Sequence, residues 1–209
     1  MKFIIRKLAG INYLGDQAIK NQYVGDIGDY TKLALLRVIE NAGFSIGVNW
    51  YLTLDDADSK DGRHIEYLDS PCDTPDKDLH DAFFNIVKIR QSRTIESLMD
   101  SGLLKSTMFF DEVLDFTSDT NRWQKRYEWH KKALIALSPA SVVFLDPDNG
   151  LIPDSIGPYT IKGNKYATYE EAAEYYNGNK SIIIYNHRDM SPIEKYVSRL
   201  NPTILCNVL

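Results

Sequence analysis

The second half of the chain alternates continuous apolar segments with amphipathic ones, and this alternation restricts the fold more than any other feature. From about residue 107 onward, the pattern predicts strand, helix, strand, helix, strand, helix and strand. After their first residue, a serine, the strands of 141–145 and 181–185 are continuously apolar or aromatic, as expected for strands buried on both faces. Such strands, separated by helices, form a parallel sheet with helices on both faces. We therefore predict an α/β fold, a three-layer Rossmann-like domain with a mainly parallel sheet.

The periodicity and the turn residues predict individual elements. The predicted strands are 44–54, 64–68, 107–113, 141–145, 181–185 and 203–209. The predicted helices are 29–42, 78–91, 94–100, 120–137, 168–177 and 191–200. The strand of 64–68 is expected to pair with 44–54 as a hairpin. The last four strands are expected to be neighbours in one sheet.

Apolar spacing also predicts which face of each helix packs on the sheet. In the first helix, which Asp29 would cap, the buried face is predicted from an i, i+3, i+4, i+7 stripe. That stripe consists of Leu35, Val38, Ile39 and Ala42. The helix of 78–91 has Leu79, Phe83, Ile86 and Val87 on one side. The helix of 120–137 has Trp123, Tyr127, Leu134 and Leu137 on one side.

Length and composition limit the class of protein. A chain of 209 residues suits one domain, 1–209, in which residues 1–24 are an N-terminal extension. No apolar run reaches the roughly 20 residues of a membrane helix, so no membrane association is expected. The two cysteines, Cys72 and Cys206, have no neighbours at metal-ligand spacing, which disfavours a disulfide scaffold and favours a cytoplasmic location. A net charge of −5 disfavours unspecific binding to nucleic acid.

Polar residues directly follow two of the buried strands. Asp146, Asp148 and Asn149 follow the strand of 141–145, and His187 follows the strand of 181–185. Ligands of parallel sheets bind at the carboxyl ends of the strands. These side chains are candidate catalytic groups, because carboxylates and imidazole accept protons and bind amines or metals. The alternative interpretation is a strand-to-loop turn stabilised by Asp and Asn side chains.

A second candidate site surrounds the start of the first helix. This segment has a glycine, which makes the chain before the helix flexible, together with two carboxylates and a cation. The residues are Gly25, Asp26, Asp29 and Lys32. Helix N-termini bind anions through free N–H groups, and Lys32 would add positive charge. The alternative is an ordinary capped helix.

These two segments resemble parts of a Rossmann-type methyltransferase family, the one that methylates the N6 of adenine in 23S ribosomal RNA. That family has a Gly-Asn, an Asp and a Lys before a leucine-rich helix, which Gly25, Asp26, Asp29 and Lys32 resemble. It also has a strand that ends in Asp-Pro-Pro-aromatic, of which Asp146 and the proline after it match the first part. Here Asp148 replaces the second proline and Asn149 replaces the aromatic residue.

The resemblance implies a cofactor, a partner and roles for two residues. It places Lys32 near an S-adenosylmethionine site and Asp146 against the amine that is methylated, with nucleic acid as the partner. The strand of 44–54 is not followed by a glycine-rich loop, so the cofactor site would be altered. Two alternatives stay open. One is a metal-dependent phosphoesterase or nuclease, in which Asp146 and Asp148, with His187, hold Mg²⁺ or Mn²⁺. The other is a non-catalytic methyltransferase-like scaffold that binds a partner.

Overall fold

A sheet of four parallel strands forms the centre of the structure, a computed structural model that describes residues 24–54, 62–70, 75–117, 120–187, 192–194 and 196. The strands are β1 (Ile46–Asn49), β2 (Met108–Phe110), β3 (Val142–Leu145) and β4 (Ser181–Ile184). The α-helices are α1 (Ile27–Asn41), α2 (Lys77–Phe84), α3 (Ile95–Met99), α4 (Arg122–Ala136) and α5 (Tyr169–Asn177). A π-helical turn, Asn85–Ile89, extends α2, and 3₁₀-helices cover Glu66–Asp69 and Ile161–Lys165. This architecture confirms the α/β prediction and is consistent with a Rossmann-like layout.

The strand order is β2-β1-β3-β4, and every pair is parallel. From β1 the chain moves outward to β2, whereas from β3 it moves outward in the opposite direction to β4. The two directions diverge between β1 and β3. In open parallel sheets, the carboxyl ends of strands at such a switch point form a crevice. The topology therefore creates a crevice directly after Asn49 and Leu145.

The helices lie on both faces of the sheet, so the domain has three layers. One core packs α1, α2 and α3 against sheet residues Ile46, Val48 and Phe144. The other core packs α4 and α5 against Val143 and Leu145 on the opposite face. Successive β3 side chains alternate between the two cores, as the period of a strand requires. The whole of β3 is buried, as predicted from its continuous apolar sequence.

The buried face of α1 differs from the predicted one. Leu35 and Val38, which belong to the predicted stripe, are exposed, whereas Tyr30, Leu33 and Leu36 are buried. The buried residues also have helical spacing, so apolarity alone does not distinguish the two faces. The cap was also predicted wrongly: Asp26 caps the helix by accepting from the Asp29 amide, and Asp29 lies inside the first turn. By contrast, the predicted face of α2 is confirmed, and its four apolar residues are all buried.

The predicted face of α4 is correct only at its C-terminal end. Leu137 is buried, but Trp123 and Tyr127 are about half exposed and stack on each other. The buried face of the helix contains Arg126, Trp129, His130 and Ala133. Two of these four residues are polar. A pattern that counts apolar residues therefore selects the wrong side of this helix.

The strand predictions need three corrections. Residues 66–69 form a 3₁₀-helix and no hairpin with β1, because β2 and β3 already occupy both edges of β1. The strand predicted for 44–54 ends at Asn49. Strand β2 neighbours β1, whereas β3 and β4 are neighbours as predicted. The strand of 203–209 and most of the helix of 191–200 lie outside the described residues. None of the helices in the described ranges is long and apolar enough to cross a bilayer.

Candidate functional site

A cavity of about 440 Å³ opens at the crevice between the carboxyl ends of β1 and β3. Its walls come from the start of α1, from the residues that follow β1, β3 and β4, and from His64 and Ile95. The polar residues around it are Asp26, Asp29, Lys32, Trp50, Tyr51, Thr53, His64, Asp146, Asp148, Asn149, Tyr185 and His187. The size lies within the range of small-molecule sites. The structure thus brings seven of the eight predicted site residues to one cavity.

Lys32 connects the two predicted segments across this cavity. Its ammonium nitrogen lies 2.8 Å from Asp146 Oδ2 and 3.1 Å from Asp29 Oδ1. The same nitrogen lies 4.6 Å from the centre of the Tyr185 ring, a cation–π distance. All three charged side chains are largely buried. The N-terminus of α1 and the end of β3 are therefore joined by a buried cluster of two carboxylates and one ammonium.

Burial and mutual repulsion change the protonation of these groups. Burial raises the pKa of Asp29 to about 6; Lys32 opposes the shift, and Asp146 and Asp26 add to it. Burial also raises the pKa of Asp146, again against the effect of Lys32. The two carboxylates hold the pKa of Lys32 well above its usual range, although burial alone would lower it. Lys32 is therefore a permanent cation, and it does not act as a base.

Two residues of the cavity wall each have one polar side-chain atom that is buried from solvent and has no hydrogen-bond partner in the described part of the chain. These atoms are Asp146 Oδ1, an acceptor, and Trp50 Nε1, a donor. Asp146 is 8% exposed and Trp50 is 6% exposed. Most buried polar atoms in native proteins have partners, so each exception requires an explanation.

The loop after β3 is held in place by neighbouring backbone and by one side chain. The Asp146 amide donates to Asn49 O at 2.9 Å, which fixes Asp146 beside the end of β1. Gly150 has φ +85 and packs directly against Asn186, whose Oδ1 accepts from the Leu151 amide at 2.8 Å. Asn186 therefore has a structural role, which the sequence did not reveal. Gly150 thus forms the turn that the alternative interpretation predicted, while Asp146 belongs to the cavity cluster and its predicted functional role stays a prediction.

The segment after β1 adopts a conformation that is uncommon for its residues. Tyr51 has φ +48, a left-handed value that is rare outside glycine. Its amide donates to Asn49 Oδ1 at 3.2 Å, and its hydroxyl donates to Glu171 Oε2 at 3.1 Å. Glu171 in turn forms a buried ion pair with Arg126, with 2.6 Å between Nε and Oε1. A network on the α4–α5 side thus anchors the residue that turns the chain away from the sheet.

The remaining predicted residues have distinct positions. Gly25 does not line the cavity; its φ of +83 turns the chain into α1, and its amide donates to Asp29 Oδ2. His187 lines the cavity, and its ring lies edge-on against the Tyr185 ring. Trp50 and Tyr185 were not predicted as site residues. Tyr185 follows β4 as Asp146 follows β3, but β4 was predicted wrongly as buried on both faces: it is an edge strand, and its residues are exposed or only partly buried.

Metal binding has little support from the geometry. Across the described ranges, no group of three or more His, Cys, Asp or Glu side chains is arranged to hold a metal ion. The Lys32 ammonium also occupies the position between Asp29 and Asp146 that a cation would take.

Comparisons with known proteins give no relative: no family model, no curated protein and no solved structure matches the chain.

Proposed function

We propose that the protein is a Rossmann-like enzyme that binds an amine-bearing small molecule in this cavity, with Asp146 as the acceptor for the amine. The observation that carries the proposal is the place of Asp146, whose carboxylate belongs to the cavity wall at the β1/β3 switch point. A carboxylate there accepts a hydrogen bond from the amine and can take its proton.

The charge of the cavity wall favours the same class of ligand. Its wall includes the carboxylates of Asp26, Asp29 and Asp146, among which Lys32 supplies one positive charge. The excess negative charge attracts an ammonium and repels phosphate. A nucleic-acid backbone at the cavity is therefore not part of the proposal.

Methyl transfer is the reaction that the sequence resemblance implies, and it is the specific form of this proposal. Asp146 follows β3, next to β1, and Lys32 lies beside it, which agrees with the roles that the resemblance assigns. The fit to S-adenosylmethionine is incomplete. Bulky Trp50 and Tyr51 follow β1, where a glycine-rich cofactor loop would be expected. We therefore derive no step through that cofactor.

Calorimetric titration tests the proposal. Pentylamine, S-adenosylmethionine and MgCl₂ are titrated separately into the wild type and into Asp146→Asn. Asp154→Asn is the matched control, because Asp154 is exposed and does not line the cavity. We expect pentylamine to bind the wild type and the control, and to bind Asp146→Asn at least tenfold more weakly, since a charged hydrogen bond is lost.

The outcomes separate the alternatives. Binding of S-adenosylmethionine, followed by transfer of its methyl group to an amine, supports the methyltransferase form. Binding of Mg²⁺ that depends on Asp146 would instead favour the phosphoesterase or nuclease. Failure of all three ligands to bind would contradict an enzyme of this kind and favour the non-catalytic scaffold.

A further inference from the structure

His130 is a buried titratable group on the core face of α4, and the proposed function does not use it. Neither ring nitrogen has a hydrogen-bond partner among the described residues. The ring lies edge-on against that of Tyr175 on α5, with 5.4 Å between centroids. We infer that His130 is an acid-sensitive switch: when it takes up a proton, its ring leaves Tyr175 for the carboxylate of Glu174, and the cavity wall loosens. The inference does not depend on what the cavity binds.

The charges around the imidazole leave one carboxylate as the acceptor for a protonated ring. Three titratable groups lie around it on α5 and two cations on its own helix: Glu171, Glu174, Tyr175, Arg126 and Lys131. The Glu171 carboxylate already accepts four hydrogen bonds, two of them from Arg126. Glu174 is exposed, and its Oε2 lies 3.6 Å from His130 Nε2, just beyond hydrogen-bond distance. A small rotation of a protonated ring would form a charge-assisted hydrogen bond there.

The enclosed position of the ring favours the neutral imidazole. Burial lowers the pKa of His130, and the nearby cations add to the shift, while the carboxylates oppose it. In the unfolded chain the pKa is about 6.5, so the unfolded state binds the proton more readily. The contribution of His130 to stability is therefore complete above about pH 6.5 and is lost as the pH falls below that value. A charged ring without a partner is costly to bury, so protonation drives the ring toward Glu174.

Tyr175 connects the imidazole to the wall of the cavity. Its hydroxyl accepts from Asn49 Nδ2 at 3.4 Å, and Asn49 is the last residue of β1. Asn49 Oδ1 accepts from the amide of Tyr51, the residue with the left-handed backbone, and the Asn49 carbonyl accepts from the Asp146 amide. A shift of Tyr175 therefore loosens the residue that positions both Tyr51 and Asp146.

Urea denaturation from about pH 8 to about pH 5 tests the uptake of the proton. His130→Phe keeps an aromatic ring in place of the imidazole but takes up no proton. The other titrating groups are the same in both proteins, so their contributions cancel in the comparison. We expect the folding equilibrium constant of the wild type, relative to His130→Phe, to fall more than about twofold over this range. A ratio that stays constant or rises toward acid would overturn the inference.

Nuclear magnetic resonance of the wild type tests the movement. As the His130 imidazole titrates, its nuclear Overhauser contacts with the Tyr175 ring should weaken. At the same midpoint, the protection of the Tyr51 amide against hydrogen exchange, corrected for the intrinsic rate, should fall more than about fivefold. Glu174→Gln removes the charge of the acceptor, so it should move both changes to lower pH. Glu170→Gln is the matched control, because Glu170 is an exposed carboxylate of the same helix, and it should behave as the wild type.

The outcomes separate a switch from an ordinary buried histidine. If His130 titrates while the protection of the Tyr51 amide stays constant, the imidazole only destabilises the core in acid, and the switch is wrong. The switch is also wrong if Glu174→Gln has the midpoint of the wild type. Should His130→Phe not fold, the spectra of the wild type and of Glu174→Gln decide. None of these experiments measures amine binding, so their failure leaves the proposed function standing.

Discussion

Lys32 and Asp146 are 114 positions apart in the sequence, yet the ammonium of one lies 2.8 Å from a carboxylate oxygen of the other. The contact joins the first turn of α1 to the end of β3, and Asp29 completes it from the other side. The cluster closes one wall of the cavity and also links two layers of the domain. Its charges therefore contribute to folding and, under the proposed function, also to ligand binding.

Replacement of Lys32 by methionine should destabilise the protein strongly. The change leaves the buried carboxylates of Asp29 and Asp146 without their cation, which typically costs about 3–5 kcal/mol of unfolding free energy. Urea denaturation at pH 7 measures the loss. Lys162→Met is the control and should stay within about 0.5 kcal/mol, because Lys162 is exposed. If Lys32→Met lowers the free energy of unfolding no more than Lys162→Met does, the ion pairs of Lys32 contribute little to stability.

The raised pKa of Asp29 should make stability depend on pH in a defined window. Its pKa is about 6 in the folded protein and about 3.8 in the unfolded chain, so the folded state holds the proton more tightly. The contribution of Asp29 to stability is therefore largest below about pH 4 and falls as the pH rises through about 6. Relative to Asp29→Asn, the wild type should lose on the order of 3 kcal/mol across this window.

Urea titrations of both proteins at several pH values measure this loss. Asp154→Asn should follow the wild-type curve, because that carboxyl is exposed. If the stability of the wild type relative to Asp29→Asn instead rises with pH, the attraction of Lys32 lowers the pKa of Asp29 by more than burial raises it.

Sequence patterns predicted the elements well where local chemistry determines them. The capping box of Thr168 and Glu171 is present at the start of α5, since both of its bonds lie within four residues. The continuous apolar run of β3 indicated correctly a strand buried on both faces. The predictions fail where contacts between residues that are far apart in the sequence determine which side chains are buried. Arg126 faces the core because Glu171 and three backbone carbonyls surround its guanidinium, and no local pattern contains those partners.

The candidate site was predictable to the extent that strand ends indicate it. Asp146 follows the buried strand β3 and His187 follows the partly buried edge strand β4, and both line the cavity. Trp50 was missed because it lies inside a segment that was predicted to continue as a strand to residue 54. The strand ends at Asn49, whose side chain accepts from the Tyr51 amide and turns the chain. Because the chain leaves the sheet there, residues 50–53 line the cavity instead of continuing the strand.

The two tryptophans of α4 should differ sharply in their effect on stability. Trp129 is 2% exposed, packs edge-on against Tyr51 and Phe110, and lies in the core. Trp123 is 56% exposed and stacks only on the exposed ring of Tyr127. We expect Trp129→Ala to cost about 3–5 kcal/mol and Trp123→Ala to stay within about 0.5 kcal/mol. The urea denaturation midpoints of the two variants measure both losses. A larger loss for Trp123→Ala than for Trp129→Ala would mean that the face of α4 predicted from the sequence is the buried one.

Substitution of Gly150 by alanine should disrupt the loop that carries Asp146 more than backbone strain alone would. Its φ of +85 is unfavourable for alanine, and a Cβ there would overlap the Asn186 side chain, which binds the Leu151 amide. Gly102→Ala is the matched control, because Gly102 has φ +71 but open space around it. The control should lose only the strain, about 1–2 kcal/mol in urea denaturation. Gly150→Ala should lose more than the control, because Asn186 must also move. Equal losses would mean that Asn186 adjusts freely and does not hold the loop.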